Sequence, residues 1–337
     1  MENNRHFVID FDSTFTQVEA LDVLGEISLE GHPEKEQRLQ KLVDLTNQGM
    51  GGQLAFRDSL SQRLELLDAN RKHLQPLIEN LRQKVSVSFV RNEDFFKEYR
   101  DRIYIVSNGF KEFIVPIVQE LGVKPENVFA NTFEFDENGD VTGFDHDNVL
   151  SSNNGKVEQL KRLDLKGDVY VIGDGYTDYE IKAAGLANKF YAFTENVSRE
   201  NILENADHIT PSLDEFLYVN KMNKAISYPK NRIKVLLLEN VHADAVDIMK
   251  KEGYNVSTIS GALDEEELSE KIKDVSILGI RSKTQLTAKV LENANRLIAV
   301  GAFCIGTNQI DLEACLNKGV AVFNAPFSNT RSVVELA

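Results

Sequence analysis

The stretch Phe7-Val8-Ile9-Asp10-Phe11-Asp12-Ser13-Thr14 contains a short apolar run that ends in two aspartates. The run has the residue types and length of a buried strand, so we predict that it forms the first strand of an α/β sheet. Ligands of open α/β sheets bind outside the carboxyl ends of the strands, which is where Asp10 and Asp12 would lie. Two carboxylates at positions i and i+2 repel each other unless a cation sits between them or one keeps its proton. The stretch therefore predicts either a metal site or a carboxylic acid that can donate a proton.

The composition indicates two domains and excludes two classes of partner. The chain has 337 residues, of which 42% are hydrophobic, and this is enough for two separate cores. Its formal net charge is −15, and its lysines and arginines form no cluster. Because nucleic acids and anionic membranes bind basic patches, we expect neither as a partner.

Cysteine usage and the lack of apolar signals favour a soluble protein of the cytoplasm. The two cysteines, Cys304 and Cys315, are too few for a disulfide framework and do not have the spacing of a metal site. Met1 leads into the first strand without an apolar signal region, and no later run of about 18 apolar residues could span a bilayer.

Residues 18–85 are predicted to be a helical insertion. Leucines recur in them near the helical period, and no convincing strand is present. The next strand is predicted over 102–106, so the insertion leaves the sheet directly after the paired aspartates. We therefore expect a helical cap of about residues 16–85 over the strand ends. A strand over 128–135 and a hairpin turn at Asn138-Gly139 follow as scaffold.

Three further segments place polar residues at strand ends or helix starts. Ser107-Asn108-Gly109 follows the second strand, and its serine either offers a hydroxyl to a phosphate oxygen or only caps the next helix. Lys156 falls in the first turn of a predicted helix, where the helix dipole disfavours a cation, so it is either needed for chemistry or a solvated surface lysine. Gly173-Asp174-Gly175 ends a predicted buried strand, with Asp178 one helical turn further on; alone, it could be a mere turn.

Together, these segments resemble the haloacid dehalogenase superfamily of aspartate-nucleophile phosphotransferases. An Asp-x-Asp-x-Thr, a serine, a lysine that opens a helix and a Gly-Asp-Gly-x-x-x-Asp occur in the order of that family, over residues 5 to about 217. The resemblance implies a Rossmann-like core and an Mg²⁺ ion held by Asp10, by the main-chain carbonyl of Asp12 and by Asp174. It also implies the catalytic roles: Asp10 is the nucleophile, Asp12 the proton donor and later the base, and Ser107 and Lys156 hold phosphate oxygens.

Within that superfamily the chain is more similar to phosphoserine phosphatases. Glu19 matches the glutamate that meets the substrate ammonium, and the segment from Gly49 to Arg63 looks like the cap segment whose arginine binds the substrate carboxylate. Opposite charges suit an amino acid substrate, although Glu19 and Arg63 could instead form a surface ion pair. The sequence departs from the family at Asn108, where glycine is common, and at Thr177, where asparagine is common. The resemblance assigns to the substrate Glu19, Met50, Phe56, Arg63, Ser107, Asn108, Gly109, Lys156 and Asp178.

The pattern changes after residue 218. Residues 219–232 have weak periodicity and are predicted to be a linker. From residue 233 onwards, strands and helices alternate at helix-length spacing, which predicts a second, flavodoxin-like parallel α/β lobe over 233–337.

This lobe resembles the N-terminal substrate lobe of D-3-phosphoglycerate dehydrogenases. The resemblance covers residues 230–337 and includes the stretches 278–282, 300–308 and 323–333. Arg281, Ser282 and Asn329 would touch phosphoglycerate in a complete enzyme, or are plain surface loop residues. The family's NAD-binding domain should begin near residue 337, and no Gly-x-Gly-x-x-Gly occurs in the chain. We therefore expect a truncated lobe that by itself neither binds NAD nor transfers a hydride.

These observations predict a phosphoserine phosphatase domain (residues 1–218) joined to an incomplete dehydrogenase lobe, in a bifunctional cytoplasmic protein of serine biosynthesis. One alternative is that the parent protein is chiefly an oxidoreductase, a D-3-phosphoglycerate dehydrogenase, with the first domain as a regulatory module that binds serine. Another is phosphotransfer to an alcohol other than water. The expected partner is phosphoserine; a homodimer and the nature of the end at Ala337 stay open.

Overall fold

The computed structural model of the chain describes residues 4–50, 54–226 and 228–326. The chain divides into two compact units, Met1–Ser227 and Tyr228–Ala337, and each has its own parallel sheet. The predicted α/β class is confirmed. Among the described residues, no helix has both the length and the apolar character that crossing a membrane requires.

The first unit is built on a six-stranded parallel sheet in the order β3-β2-β1-β6-β7-β8, with a separate hairpin of β4 and β5. Its strands are β1 (Arg5–Ile9), β2 (Ile103–Phe110), β3 (Val128–Asn131), β4 (Phe133–Phe135), β5 (Val141–Phe144), β6 (Asp168–Gly173), β7 (Lys189–Phe193) and β8 (His208–Thr210). β1 lies between β2 and β6, so the first motif of the sequence occupies the middle of the sheet.

Strand β1 contributes to two hydrophobic cores, one on each face of the sheet. Phe7 and Ile9 belong to the larger core, whereas Val8 belongs to the other, and all three are almost fully buried. Because successive side chains of a strand point to opposite faces, a continuous apolar run is what a strand covered on both sides requires.

A helical cap follows β1, as predicted. Its helices are α1 (Ala20–Ser28), α2 (Lys35–Met50), α3 (Phe56–Glu65) and α4 (Leu74–Arg82). The chain enters and leaves the cap through two short segments that pair side by side: the Gln17 N–H donates to Lys84 O, and the Ser86 N–H donates to Phe15 O. We call residues 15–17 and 84–86 the cap stalk.

The other helices of the first unit follow the cap or connect the later strands. They are α5 (Val87–Arg91), α6 (Glu93–Glu98), α7 (Lys111–Val118), α8 (Gly155–Leu163), α9 (Tyr176–Ala183), α10 (Glu200–Leu203) and α11 (Leu213–Val219). The strand predicted over 128–135 is two strands, because β3 pairs parallel with β2 and β4 pairs antiparallel with β5. The predicted hairpin turn lies between β4 and β5, where Gly139 adopts a positive φ of 83°.

Residues predicted as a linker are divided between the two units. The Met222 side chain is only 6% exposed within the first core, and Asn220 accepts a hydrogen bond from the Tyr191 hydroxyl at 2.8 Å. The first unit therefore continues beyond residue 218, and the division falls between Ser227 and Tyr228. The sequence did not predict the burial of these residues, because a few buried residues without a repeat give no periodic signal.

The second unit contains a five-stranded parallel sheet in the order β10-β9-β11-β12-β13, which is the flavodoxin-like order. Its strands are β9 (Lys234–Leu238), β10 (Asn255–Ile259), β11 (Ile277–Ile280), β12 (Ala299–Ala302) and β13 (Ala321–Asn324). Its helices are α12 (Ala243–Lys251), α13 (Glu265–Lys271), α14 (Ala288–Asn293) and α15 (Leu312–Lys318). This alternation agrees with the sequence pattern.

Candidate active site

Asp10 stands directly after β1, at the carboxyl end of the central strand. Its N–H donates to Ile172 O at 3.0 Å, which continues the pairing of β1 with β6 by one residue. Its carboxylate accepts a hydrogen bond from the Phe11 N–H at 2.7 Å. The carboxylate is thereby oriented by main-chain geometry and remains 14% exposed, so a ligand can reach it.

Asp12 lies in the short turn Phe11–Phe15, where the chain leaves β1 for the cap and where Asp12 itself has extended backbone angles. The next residue, Ser13, has a positive φ of 55°, which is unfavourable for a residue with a side chain. Asp12 Oδ1 accepts a hydrogen bond from the Ala20 N–H, the first residue of α1, at 2.7 Å. This turn therefore connects the carboxyl end of β1 to the first cap helix.

Burial raises the pKa of Asp12 well above its usual value, and the nearby Glu19 carboxylate raises it further. The hydrogen bond from Ala20 and the charge of Arg63 act in the opposite direction, but they do not cancel the rise. Asp12 thus keeps its proton more readily than an exposed aspartate does. This is the property that a general acid needs near neutral pH.

The segment Ser107-Asn108-Gly109 is part of β2, which extends four residues beyond the predicted strand end at 106. Ser107 is 1% exposed, and its Oγ accepts a hydrogen bond from the Gly109 N–H at 2.9 Å. A Cβ on Gly109 would lie 3.2 Å from both Asp12 Oδ2 and Ser107 Oγ, so glycine permits the close approach of β2 to Asp12. The Asn108 amide points to another partner and donates to Leu150 O at 2.8 Å.

Lys156, in the first turn of α8, is 2% exposed. Its Nζ lies 2.8 Å from Asp10 Oδ1 and 2.8 Å from Asp178 Oδ1. Burial by itself would lower the pKa of Lys156, but the two carboxylates outweigh burial and raise it. These ion pairs explain why a cation occupies a position that the helix dipole disfavours.

Asp174 and Asp178 follow β6 and are also buried. Asp174 accepts a hydrogen bond from the Thr14 hydroxyl at 2.9 Å, and Asp178 accepts one from the Gly175 N–H at 3.2 Å. A Cβ on Gly173 would lie 2.2 Å from Asp178 Cγ, so only glycine lets the Asp178 carboxylate fold back against the strand end. Burial and repulsion from Asp10 raise the pKa of Asp178, and Lys156 opposes this rise.

Three carboxylates form the group best suited to hold a metal ion. One oxygen each from Asp10, Asp174 and Asp178 lies within 4.8 Å of the other two. This oxygen-only set, in which Asp174 and Asp178 are buried and Asp10 is partly exposed, fits a hard divalent cation such as Mg²⁺. Among the described residues, the Asp12 side chain is not in this cluster, and its Oδ1 accepts the hydrogen bond from the Ala20 N–H; a role for its main-chain carbonyl stays a prediction.

Arg199 also reaches Asp174 of this carboxylate cluster, and no sequence pattern predicted it. Its Nη1 contacts Asp174 Oδ2 and donates to Asp174 O at 3.2 Å, and its Nη2 is 4.0 Å from Glu19 Oε1. A single arginine in a loop has no motif around it, so no pattern in one sequence could have identified it.

The cap brings Glu19 and Arg63 close to Asp12. Glu19 accepts a hydrogen bond from the Ser13 hydroxyl at 2.7 Å. Burial lowers the pKa of Arg63, and the charges of Glu19, Asp22 and Asp12 oppose that change. The buried Nε of Arg63 has no hydrogen-bond partner among the described residues. Asp22, which the sequence analysis also missed, has its pKa raised to about 6 by burial and by Glu19.

Phe56 and Met50 are the two other cap residues that the resemblance assigns to the substrate. Phe56 is half-buried at the start of α3, and its N–H donates to Asn153 Oδ1 at 2.8 Å, which joins the cap to the loop before α8. Met50 ends α2, and its side chain lies outside the described residues.

In the second unit, Arg281 and Ser282 follow β11 and are exposed. Their loop is held by Glu239, whose carboxylate accepts hydrogen bonds from the N–H groups of Arg281, Lys283 and Thr284 at 2.9–3.2 Å. Asn329 lies outside the described residues.

Two family models match the chain. The model for haloacid dehalogenase-like hydrolases matches residues 7–181, just over half of the chain. The model for the catalytic domain of D-isomer specific 2-hydroxyacid dehydrogenases matches residues 235–337. The two matches fall in different structural units.

The first unit is similar to two solved structures. A phosphoserine phosphohydrolase-like protein from Francisella tularensis subsp. tularensis SCHU S4 is 27% identical with a TM-score of 0.57, over 64% of this chain and 99% of that chain. A phospho-aspartyl intermediate analogue of phosphoserine phosphatase is 25% identical with a TM-score of 0.51, over 66% of this chain and 100% of that chain.

The second unit is similar to D-3-phosphoglycerate dehydrogenases. The enzyme of Dictyostelium discoideum is 52% identical over 115 residues, which are 34% of this chain and 28% of that protein. The chain thus spans about a quarter of the length of the curated relatives that it matches.

Proposed function

Since the chain belongs to the haloacid dehalogenase-like hydrolases, we propose that its first unit hydrolyses L-phosphoserine to serine and phosphate, with Mg²⁺ and through an aspartyl-phosphate. Phosphatase chemistry is supported by the family match and by the similarity to structures described as phosphoserine phosphatases. Beyond the family match, we propose that phosphoserine is the substrate, Mg²⁺ the metal ion and water the acceptor of the phosphoryl group.

The observation that carries the substrate is the pairing of opposite charges beside Asp12. Arg63 is an arginine of the cap with an unused buried donor, Nε, and Glu19 is a carboxylate close to it. A free amino acid ester brings one carboxylate and one ammonium, which these two side chains could bind with complementary charge. A sugar phosphate has neither group and would form no ion pair with these two side chains.

The chain's own residues are arranged for attack by Asp10 on phosphorus. Lys156, whose Nζ lies 2.8 Å from Asp10 Oδ1, and Ser107, in the last half of β2, would hold equatorial oxygens of the phosphoryl group. Mg²⁺, held by Asp10 and Asp174 beside Asp178, would neutralise charge between the carboxylates and the phosphate. Asp10 then forms a bond to phosphorus as the bond to the seryl oxygen breaks.

Asp12 would move the proton in both halves of the reaction. In its protonated form it gives the proton to the departing seryl oxygen, and as a carboxylate it then takes a proton from the water that attacks the aspartyl-phosphate. Its raised pKa supports the first step, and its place beside the strand end supports the second. The products are serine, phosphate and regenerated Asp10.

The test is phosphate release by the full chain from L-phosphoserine, phosphothreonine and sugar phosphates, with Mg²⁺ and with a chelator. We expect phosphoserine to be hydrolysed fastest and the chelator to abolish turnover. Free phosphate in equal amount to serine, with glycerol present as a competing alcohol, would support hydrolysis over phosphotransfer. Similar rates across the panel would exclude an amino acid substrate.

For the second unit, we propose that this chain does not itself oxidise D-3-phosphoglycerate. The 337 residues contain no Gly-x-Gly-x-x-Gly, the fingerprint with which dinucleotide-binding folds hold NAD. The similarity to D-3-phosphoglycerate dehydrogenases favours a place in serine biosynthesis, where both activities would belong to one pathway. Titration calorimetry with NAD should give no heat of binding; measurable binding would contradict the proposal.

A further inference from the structure

Asn196, in the loop after β7, places one amide nitrogen among four oxygen atoms. Its Nδ2 lies 3.1 Å from Ser13 O, 3.5 Å from Thr14 O, 3.2 Å from Thr16 O and 2.7 Å from Ser86 Oγ. The Ser86 hydroxyl in turn donates to Thr14 O at 2.6 Å. The amide is therefore a donor at the centre of a cluster of acceptors.

These acceptors belong to both segments of the cap stalk and to the turn Phe11–Phe15 that follows Asp10. Thr16 lies on the segment that enters the cap, Ser86 lies on the segment that returns, and Ser13 follows Asp12 directly. All three are at most 2% exposed, so their polar groups have little access to water and depend on such hydrogen bonds. Asn196 thus joins a loop of the core to the point where the cap begins.

The hydrogen bond from Asn196 to Ser13 O restrains the residue that directly follows Asp12. Ser13 has the positive φ of 55°, a conformation that a serine adopts only when its surroundings hold it there. If that peptide relaxed, the Asp12 carboxyl would turn away from the Ala20 N–H and from the seryl oxygen that it must protonate. The neighbours of Asn196 reinforce the same loop, since Glu195 accepts a hydrogen bond from the Ser88 N–H at 3.0 Å and Arg199 binds Asp174.

We infer that Asn196 is a positioning residue for phosphoryl transfer, which holds Ser13 and the cap stalk so that Asp12 points at the leaving group. This deepens the proposed function and rests on it only for the role of Asp12 as proton donor. Asn196 itself need not touch the substrate.

The test compares Asn196→Asp with Asn205→Asp in the full chain. Asn196→Asp replaces the donating amide group by a carboxylate oxygen, which then faces the carbonyl oxygens. Asn205→Asp makes the same replacement at an exposed position, where the amide donates to the carbonyl of Asn201. For Asn196→Asp we expect kcat/KM on phosphoserine to fall by about 30-fold or more, which is part of the roughly 10²- to 10⁴-fold that general acid–base catalysis contributes. On p-nitrophenyl phosphate, whose leaving group departs without a proton, the loss should be less than about 3-fold.

Amide hydrogen exchange gives a second readout that needs no turnover. In Asn196→Asp, the Ala20 amide, which donates to Asp12, should exchange faster than in the unsubstituted chain. The exchange rates of the β6 amides should be unchanged in this variant, and those of all amides should be unchanged in Asn205→Asp. Equal losses on both substrates, or an Ala20 amide as protected as in the parent chain, would overturn the inference. Failure of the parent chain to hydrolyse phosphoserine would instead contradict the proposed function, and the exchange result would still decide the role of Asn196.

Discussion

Lys156 and Asp178 form an ion pair inside the first unit, with Nζ 2.8 Å from Oδ1 and both side chains at most 3% exposed. The same ammonium group lies 2.8 Å from Asp10 Oδ1. Two carboxylates this close in a buried site would repel each other, and the ammonium group of Lys156 between them offsets part of that repulsion.

Replacing Lys156 by methionine should therefore damage both stability and activity. Removing one partner of a buried ion pair costs about 3 kcal/mol of unfolding free energy, because the carboxylates lose their counter-charge. If Lys156 holds the phosphoryl oxygens as proposed, its loss should also lower kcat by about 10²-fold or more. Lys161→Met, in the same helix but paired with Glu158 at the surface, is the matched control for urea unfolding and for kcat, and it should change neither by much. Similar behaviour of the two variants would contradict a role for Lys156.

The two aspartates of the first motif should fail in different ways. Asp10→Asn should abolish turnover, because an amide is no nucleophile and also weakens the metal site. Asp12→Asn should slow turnover, yet allow a slowly hydrolysed aspartyl-phosphate to accumulate. Hydroxylamine-sensitive label from radioactive phosphoserine would distinguish them: we expect it on Asp12→Asn and not on Asp10→Asn. A wild-type rate for Asp10→Asn would rule out the mechanism.

Arg63→Ala should change selectivity more than general activity. If Arg63 binds the substrate carboxylate, its loss should weaken phosphoserine binding by about 2 to 4 kcal/mol and should raise KM accordingly. A phosphate ester without a carboxylate should be affected far less. Arg82→Ala is the control, since Arg82 also lies in the cap but forms an exposed pair with Glu120. The same KM increase for both esters would mean that Arg63 serves the cap and not the substrate.

Asp22 should make the stability of the first unit depend on pH. The folded protein keeps the Asp22 proton up to about pH 6, whereas the unfolded chain releases it near 3.8. Between these values the folded state binds more protons, so stability falls as pH rises through this window. Asp22→Asn should remove that decline, a difference of about 1 to 2 kcal/mol after discounting partial exposure. Urea unfolding of the unsubstituted chain and of Asp22→Asn at pH 4 and pH 7 measures this difference. The same change in unfolding free energy between the two pH values in both proteins would refute the raised pKa of Asp22.

Two truncations test where the first unit ends. A chain that ends at Ile226 keeps Met222 and Asn220, whereas one that ends at Tyr218 exposes the core around Met222 and leaves the Tyr191 hydroxyl without Asn220. We expect phosphatase activity in the longer form and a loss of about 2 to 3 kcal/mol of stability in the shorter one. Loss of hydrolysis in a folded chain ending at Ile226 would show that the phosphatase needs the second unit.

Much of the fold and part of the site could be predicted from local patterns. The apolar run before Asp10 predicts a strand buried on both faces, and the structure sends Phe7 and Val8 into different cores. The unfavourable position of Lys156 hinted at a specific partner, and the structure supplies Asp10 and Asp178. Such predictions succeed because strand period, helix dipole and turn chemistry act over a few residues, and one sequence displays them directly.

The sequence by itself determined the two parallel sheets, the cap after β1 and the order of the strand-end carboxylates. Only the tertiary structure decided that Asn196 and Arg199 reach this site, that Asp178 joins Asp10 and Asp174, and that Met222 belongs to the first core. Asn196 and Ser13 are 183 residues apart in the chain, and no local period or propensity connects them. Their contact exists because parallel strands bring their carboxyl ends to one edge, where loops from distant parts of the chain must share a small, dehydrated space and pair their polar groups there.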